Sequence, residues 1–79
     1  MVTVRLFASA REAAGTDRDT LPGDTVGEVL DAARQRYGDG FRAVLGSCRI
    51  WVNGEPATDA TPVVTGDEVA VLPPVSGGA

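Results

Sequence analysis

At residues 25–38 the chain reads TVGEVLDAARQRYG, and this stretch decides the fold. Thr25 and Glu28 stand at the spacing of a capping box, in which the hydroxyl accepts a first-turn N–H and the glutamate reaches back. Apolar side chains recur at helical spacing from Val26 to Tyr37, and Gly38 can end the helix. The pattern predicts one main helix whose apolar face needs a second layer to cover it.

Strand patterns precede this helix. Residues 2–7 alternate with period two, which predicts a first strand with one buried face, and Phe7 marks where the other face becomes covered. Residues 9–14 are alanine-rich and predict one helical turn that Gly15 stops. Residues 17–21 are expected to return as a short polar strand, so the chain begins with a hairpin.

Further strand patterns follow the helix. Residues 41–45 are predicted to form a loop or a partial turn. Residues 49–52 are predicted to enter a tight turn at Asn53-Gly54 and to return through residues 55–57. The apolar strand at residues 68–72 is the candidate centre of the sheet. One main helix over a mixed four- or five-stranded sheet is a β-grasp, or ubiquitin-like, fold of the α+β class.

The composition excludes several classes of function. The net charge is −4, from 7 arginines and 11 acids, which argues against nucleic-acid binding and favours a basic protein partner. The chain has no histidine and no lysine, so we expect neither a metal site nor a self-contained catalytic site. It has one cysteine and no apolar run near the roughly 20 residues of a membrane span, so we expect a cytoplasmic protein without membrane association.

The last residues are predicted to leave the folded domain. Pro73 and Pro74 lack the N–H that a strand ladder needs, so residues 1–74 are expected to form one β-grasp domain. Residues 75–79 read VSGGA and are expected to form a flexible C-terminal tail, since they contain one large side chain. Two adjacent glycines make such a tail slender enough for a narrow channel.

Three stretches carry a family resemblance: LFASAREAAG at residues 6–15, TGDEV at 65–69 and LPPVSGG at 72–78. In this order they resemble the MoaD/ThiS family of ubiquitin-like sulfur carriers, and most of all MoaD, the small subunit of molybdopterin synthase. The resemblance implies that a MoeB-like enzyme uses ATP to adenylate the C-terminal glycine, which then becomes a thiocarboxylate. It also implies that the partner is the synthase large subunit, where the sulfur goes to a cyclic pyranopterin precursor of the molybdenum cofactor, and that the carrier itself is non-catalytic and binds no cofactor.

The resemblance assigns the chemistry to Gly78, which would carry the adenylate and then the thiocarboxylate. This sequence departs from the family in having Ala79 after that glycine. Either a peptidase trims Ala79, or the activating enzyme tolerates it, or the carrier serves another pathway. The residues expected to guide the tail or contact the partner are Gly77, Ser76, Val75, Pro74, Pro73, Leu72, Phe7 and Arg11.

Four side chains could serve either function or packing. Phe7 and Leu72 are either core residues or an exposed docking patch beside the tail. Trp51 is either a core anchor or an aromatic side chain on an open sheet face. Cys48 is interpreted as a small buried hydrophobic residue rather than a nucleophile, since no histidine or lysine stands near it.

Other functions also fit the sequence. The same chemistry would serve a carrier for cysteine or thiamin synthesis. From a different class, the chain could be a ubiquitin-like protein modifier or a plain binding module. Without lysine it cannot build lysine-linked chains on itself.

Overall fold

The computed structural model describes residues 1–74, which form a mixed five-stranded sheet and three helices. In chain order the elements are β1 Val2–Leu6, α1 Ala8–Ala14, β2 Arg18–Leu21, α2 Val26–Tyr37, α3 Asp39–Leu45, β3 Arg49–Val52, β4 Glu55–Pro56 and β5 Glu68–Leu72. The strand order is β2-β1-β5-β3-β4, with β1 parallel to β5 and the other pairs antiparallel. The predicted α+β β-grasp is confirmed, with β5 at the centre of the sheet.

One apolar core joins one face of the sheet to all three helices. Alternate residues of β1 and β5 enter this core, and each helix contributes at least one buried side chain. Phe41 on α3 is the largest of the fully buried side chains. Within residues 1–74, no polar or charged residue is buried, and no helix is long and apolar enough to cross a membrane.

The predicted capping box is present in a modified form. The Glu28 N–H donates to the Thr25 hydroxyl oxygen at 3.2 Å, as the pattern requires. The Glu28 carboxylate, however, accepts from the N–H of Asp24 at 2.8 Å, one residue before the cap. Two further N–H groups of the first turn of α2 donate to carbonyls of the loop before β5, so this helix end is satisfied by backbone as well as side chain.

The prediction of a loop or partial turn at residues 41–45 was wrong, because α3 is a helix. Phe41 and Leu45 are four residues apart, and helical spacing lets both side chains enter the core together. The Phe41 ring also meets the ring of Tyr37 edge to face, with the ring centroids 5.1 Å apart. Smaller corrections shorten the strands: Phe7 lies beyond β1, β2 begins at Arg18, and β4 ends at Pro56.

A polar cluster ties the end of α2 to β2. The Tyr37 hydroxyl donates to Asp19 Oδ2 at 2.6 Å, and Arg36 Nε lies 2.9 Å from the same oxygen. The hydrogen bond from Tyr37 lowers the pKa of Asp19, with help from the Thr20 N–H and the charge of Arg36 and against a smaller effect of burial. Burial, and then the bond to Asp19, raise the pKa of Tyr37, so both groups keep their usual charge states at neutral pH.

Candidate functional site

The second face of the sheet, which we call the open face, points away from the helices. Strand register fixes its members, because residues directly opposite each other share a face. The residues of the open face are Thr3, Arg5, Arg18, Thr20, Arg49, Trp51, Pro56, Glu68, Ala70 and Leu72. None of them belongs to the buried core.

The centre of the open face is apolar. Ala70 on the central strand lies opposite Trp51 on β3, and Trp51 in turn lies opposite Pro56 on β4. Ile50 and Val52, the neighbours of Trp51 in the chain, pack against the core, so the indole points to the other side. Of the two interpretations of Trp51, the structure therefore supports the aromatic side chain on the open face.

Phe7 and Leu72 are the next residues in register after the Leu6–Val71 pair, at the edge of this face where β5 ends. The Phe7 N–H donates to the Val71 carbonyl at 3.3 Å, which extends the parallel pairing of β1 and β5 by one residue. Phe7 is 38% exposed and Leu72 is half-buried, so the docking-patch interpretation fits Phe7 better than a core position. The next residue, Ala8, has φ 49° and turns the chain from β1 into α1.

Arg5 connects this edge to the rest of the open face. Its guanidinium carbon lies 5.6 Å from the centroid of the Phe7 ring, within cation–π range. Its Nη1 atom lies 3.7 Å from a carboxylate oxygen of Glu68, a residue on the neighbouring strand β5. Sequence reasoning missed both charged residues, although the alternation of β1 already placed Arg5 on the face opposite Val4.

The other predicted site residues are distributed as follows. Pro73 is half-buried and Pro74 exposed, directly after β5. Arg11 is exposed on α1, which lies on the helical side of the sheet, so Arg11 is not part of the open face. The predicted tail residues Val75, Ser76, Gly77, Gly78 and Ala79 lie outside the described residues.

The TGDEV stretch at residues 65–69 stabilises the opposite end of β5, where the strand begins. Asp67 accepts hydrogen bonds from the Val64 N–H at 2.9 Å and from the Asn53 side-chain amide at 3.0 Å. Asn53 also accepts from the Glu68 N–H at 3.0 Å, which joins the β3–β4 turn to the start of β5. These bonds, the one from Val64 first, lower the pKa of the Asp67 carboxyl. The motif thus fixes the entry of the central strand.

Neither a cysteine nucleophile nor a metal site finds support in the described part of the chain. Cys48 is half-buried, its thiol lies 3.3 Å from the Val44 carbonyl oxygen, and burial raises the pKa of the thiol. A raised pKa leaves the sulfur protonated, in agreement with its interpretation as a packing residue. Within residues 1–74, no three His, Cys, Asp or Glu side chains are grouped so that they could hold a metal ion.

Sequence comparison adds the decisive observation, because the profile of the ThiS family matches residues 4–78. The chain belongs to the ThiS family. It is 38% identical over 84 aligned residues to small archaeal modifier protein 1 of Haloferax volcanii, covering 94% of this chain and 97% of that protein. It is 35% identical over 80 residues to a molybdopterin synthase sulfur carrier subunit of Arabidopsis thaliana, covering 98% of this chain and 82% of that one.

Solved structures agree with this assignment. The solution structure of small archaeal modifier protein 1 from Methanosarcina acetivorans has a TM-score of 0.88 and 35% identity, covering 98% of this chain and 95% of that one. The complex of subunits 1 and 2 of the molybdopterin-converting factor from Helicobacter pylori includes a similar chain, with a TM-score of 0.71, 31% identity and coverage of 98% and 97%. The chain is therefore a ubiquitin-like protein of the sulfur carrier and modifier family, some of whose members are known in complexes with a partner subunit.

Proposed function

We propose that this chain carries sulfur as a C-terminal thiocarboxylate and delivers it in molybdopterin synthesis. The observation that carries the proposal is the place where the described fold ends: β5 ends at Leu72, next in register to the exposed Phe7, and the family match continues to Gly78. The Arabidopsis thaliana relative and the Helicobacter pylori complex support this pathway by their names.

The proposed reaction takes place at Gly78. Its carboxylate attacks the α-phosphate of ATP, which gives an acyl adenylate and releases pyrophosphate. Hydrosulfide, or a sulfur donor equivalent to it, then replaces AMP and leaves a thiocarboxylate and a proton. A MoeB-like enzyme supplies the ATP site and the acid–base groups, and the synthase large subunit supplies the acceptor site. The carrier has no lysine, so the adenylate meets no side-chain amine of its own chain.

Ala79 has to be removed or accommodated before this reaction. The family match ends at Gly78, and Ala79 follows it directly. We favour removal by a peptidase, because the slender backbone of Gly77 and Gly78 is what a narrow channel to ATP requires. In this proposal the residues from Pro73 to Ser76 guide the tail into that channel.

The test compares the full chain with a chain that ends at Gly78, each incubated with a MoeB-like enzyme, ATP and sulfide. Intact mass reports the product directly, because replacing one oxygen by sulfur adds the mass difference of those two atoms. We expect the chain that ends at Gly78 to gain this mass rapidly and the full chain to gain it slowly or only after trimming. If neither chain changes mass with a competent enzyme, the sulfur-carrier proposal is wrong.

A second function is favoured by the relative from Haloferax volcanii, which is named a small modifier protein. In that role the same adenylate would pass to a lysine amine of another protein and form an amide, with release of AMP and a proton. Conjugates of higher mass in lysate, stable to thiol and to boiling, would support modification. Their absence, together with a thiocarboxylate on the free chain, would support sulfur transfer alone.

A further inference from the structure

The turn between β3 and β4 contains a reactive pair of residues that the proposed function does not use. Val52 and Glu55 are paired across the hairpin, so Asn53 and Gly54 form a two-residue turn. Their φ angles of 51° and 84° are both positive, as a type I′ turn requires. Asn53 is the only asparagine of the chain, and both turn residues are exposed. The hairpin thus presents a single Asn-Gly bond to water.

Asparagine followed by glycine is prone to deamidation, because glycine has no Cβ to shield its backbone nitrogen. That nitrogen loses its proton to hydroxide and attacks the side-chain carbonyl carbon of Asn53. The C–N bond of the side-chain amide breaks, and ammonia leaves with a proton from water, which regenerates the hydroxide and leaves a succinimide ring. Water then opens either carbonyl of the ring and gives aspartate or isoaspartate at position 53. In total one water is consumed and one ammonia is released, and nothing is oxidised or reduced.

In the folded chain the reacting amide of Asn53 is held by the start of β5. Its Nδ2 donates to Asp67 Oδ1 at 3.0 Å, and its Oδ1 accepts from the Glu68 N–H at 3.0 Å. The backbone N–H of Asn53 donates to the Glu68 carbonyl at 3.0 Å, so Glu68 holds this residue by both of its backbone groups. Asp67 is fixed in turn by the Val64 N–H at 2.9 Å. Attack by the Gly54 nitrogen requires the amide to turn away from these partners, so the bonds oppose the reaction.

We propose that Asn53 is a site of spontaneous deamidation, that its bond to Asp67 slows the reaction, and that the product loosens the entry of the central strand. The new carboxylate replaces the Nδ2 donor and faces the Asp67 carboxylate across the distance that the hydrogen bond spanned. Like charges at such a distance repel each other, and the bond that joined the turn to β5 is lost. Isoaspartate also lengthens the backbone of the turn by one carbon. The tail follows the other end of β5, so the modification lowers the stability of the domain and leaves Gly78 unaltered.

The first experiment measures the rate of deamidation. The full chain is incubated at mildly alkaline pH and physiological temperature, and the mass difference between NH2 and OH is followed, with peptide mapping to locate it. Asp67→Asn keeps an oxygen for the Val64 N–H but removes the acceptor for Asn53. Glu55→Gln is the matched control, because it removes the same charge from an exposed residue of the same hairpin that takes no part in the Asn53 bonds. Tyr37→Phe controls for a loss of stability at a distance from the turn.

We expect Asp67→Asn to deamidate at Asn53 about 2- to 10-fold faster than the unchanged chain, the range that the loss of one hydrogen bond allows. Glu55→Gln and Tyr37→Phe should react at the rate of the unchanged chain. In urea that unfolds the domain, the unchanged chain and Asp67→Asn should react equally fast, because the protecting bonds are absent. Equal rates in all the folded chains, or an equal acceleration by Tyr37→Phe, would overturn the protective role of Asp67. No reaction even in the unfolded chain would overturn the site itself.

The second experiment tests the effect of the product on the fold. Asn53→Asp has the side chain of one of the two products, and aspartate tolerates positive φ as asparagine does. We expect this variant to lower the midpoint of urea unfolding at neutral pH. Adding Asp67→Asn exchanges the amide and the carboxylate, so a donor again faces an acceptor, and the double variant should regain most of the lost stability. An unchanged midpoint in Asn53→Asp, or a double variant in which the two losses simply add, would overturn the proposed effect on β5.

Discussion

Replacing Tyr37 by phenylalanine tests how the end of α2 is held against β2. The substitution keeps the ring that packs on Phe41 and removes the hydroxyl that donates to Asp19 at 2.6 Å. A hydrogen bond to a charged group is worth about 1.5–3 kcal/mol, and the Asp19 side chain is only 19% exposed. Since Tyr37 is half-buried rather than buried, we expect a loss in the lower half of that range, about 1.5–2 kcal/mol.

The loss should appear in both chemical and thermal unfolding. In a domain of this length about 1.5–2 kcal/mol lowers the midpoint of thermal unfolding by roughly 6–15 °C. Urea unfolding at pH 7 should give a lower midpoint with an unchanged slope. Arg36→Gln is the comparison, because the Arg36 side chain is 60% exposed and solvent weakens its ion pair to the same carboxylate, so its loss should cost only about 0.2–1 kcal/mol.

The destabilisation caused by Tyr37→Phe should also become smaller as the pH falls. The pKa of Asp19 is lowered in the folded state, so its bonds stabilise the fold above the ordinary value of 3.8 and are lost as pH falls through the folded-state pKa. The difference between Tyr37→Phe and the unchanged chain should therefore shrink below about pH 4. A difference that is under about 0.5 kcal/mol at pH 7, or that does not change with pH, would refute this account of the cluster.

Three further predictions concern the turns, the tail and the thiol. Gly23→Ala should destabilise more than Gly54→Ala: both have positive φ, but a Cβ at Gly23 would lie 2.7 Å from the backbone nitrogen of Val29, whereas at Gly54 it meets nothing within 4 Å. We expect about 1 kcal/mol for Gly54→Ala in urea unfolding, from backbone strain alone, and equal costs would contradict the packing argument. Gly77→Val should leave the unfolding midpoint unchanged and abolish the gain of sulfur in the mass assay; normal sulfur loading would show that slenderness is not required. Cys48 should react slowly with iodoacetamide at pH 7 because burial raises its pKa, and Cys48→Ser should load sulfur normally; an inactive but folded variant would show that the thiol takes part.

The parts of the fold that the sequence predicts well are those with local causes. The cap at Thr25 and the stop at Gly38 act within a few residues of chain, and α2 spans the predicted stretch. The helix α3 was missed because Gly38 and Gly40 weaken its local signal. The helix is stabilised by burial of Phe41 and Leu45 in the core. Because that burial depends on elements distant in sequence, a local pattern does not predict it.

The site shows the same division. Alternation in β3 predicts that Trp51 and its chain neighbours lie on opposite faces of the sheet. It does not show which face the helices cover, so only the structure assigns Trp51 to the open face. The pairing of Arg5 with Glu68 depends on the parallel register of β1 and β5, which no local pattern encodes. The chemistry of the tail, in contrast, was inferred from its glycines and from the family resemblance. Its proposed reacting residue, Gly78, lies outside the described residues.

The most direct test of the central claim is the intact mass of the protein isolated from its native source under conditions that preserve thiocarboxylates. The account predicts a chain that has lost Ala79 and in which part of the population contains one sulfur in place of one oxygen. Treatment with iodoacetamide should then add a carbamidomethyl group at the C-terminus of that fraction, also in the Cys48→Ser variant. A population that consists only of the full-length, unmodified chain, even when molybdenum cofactor is being made, would contradict the account.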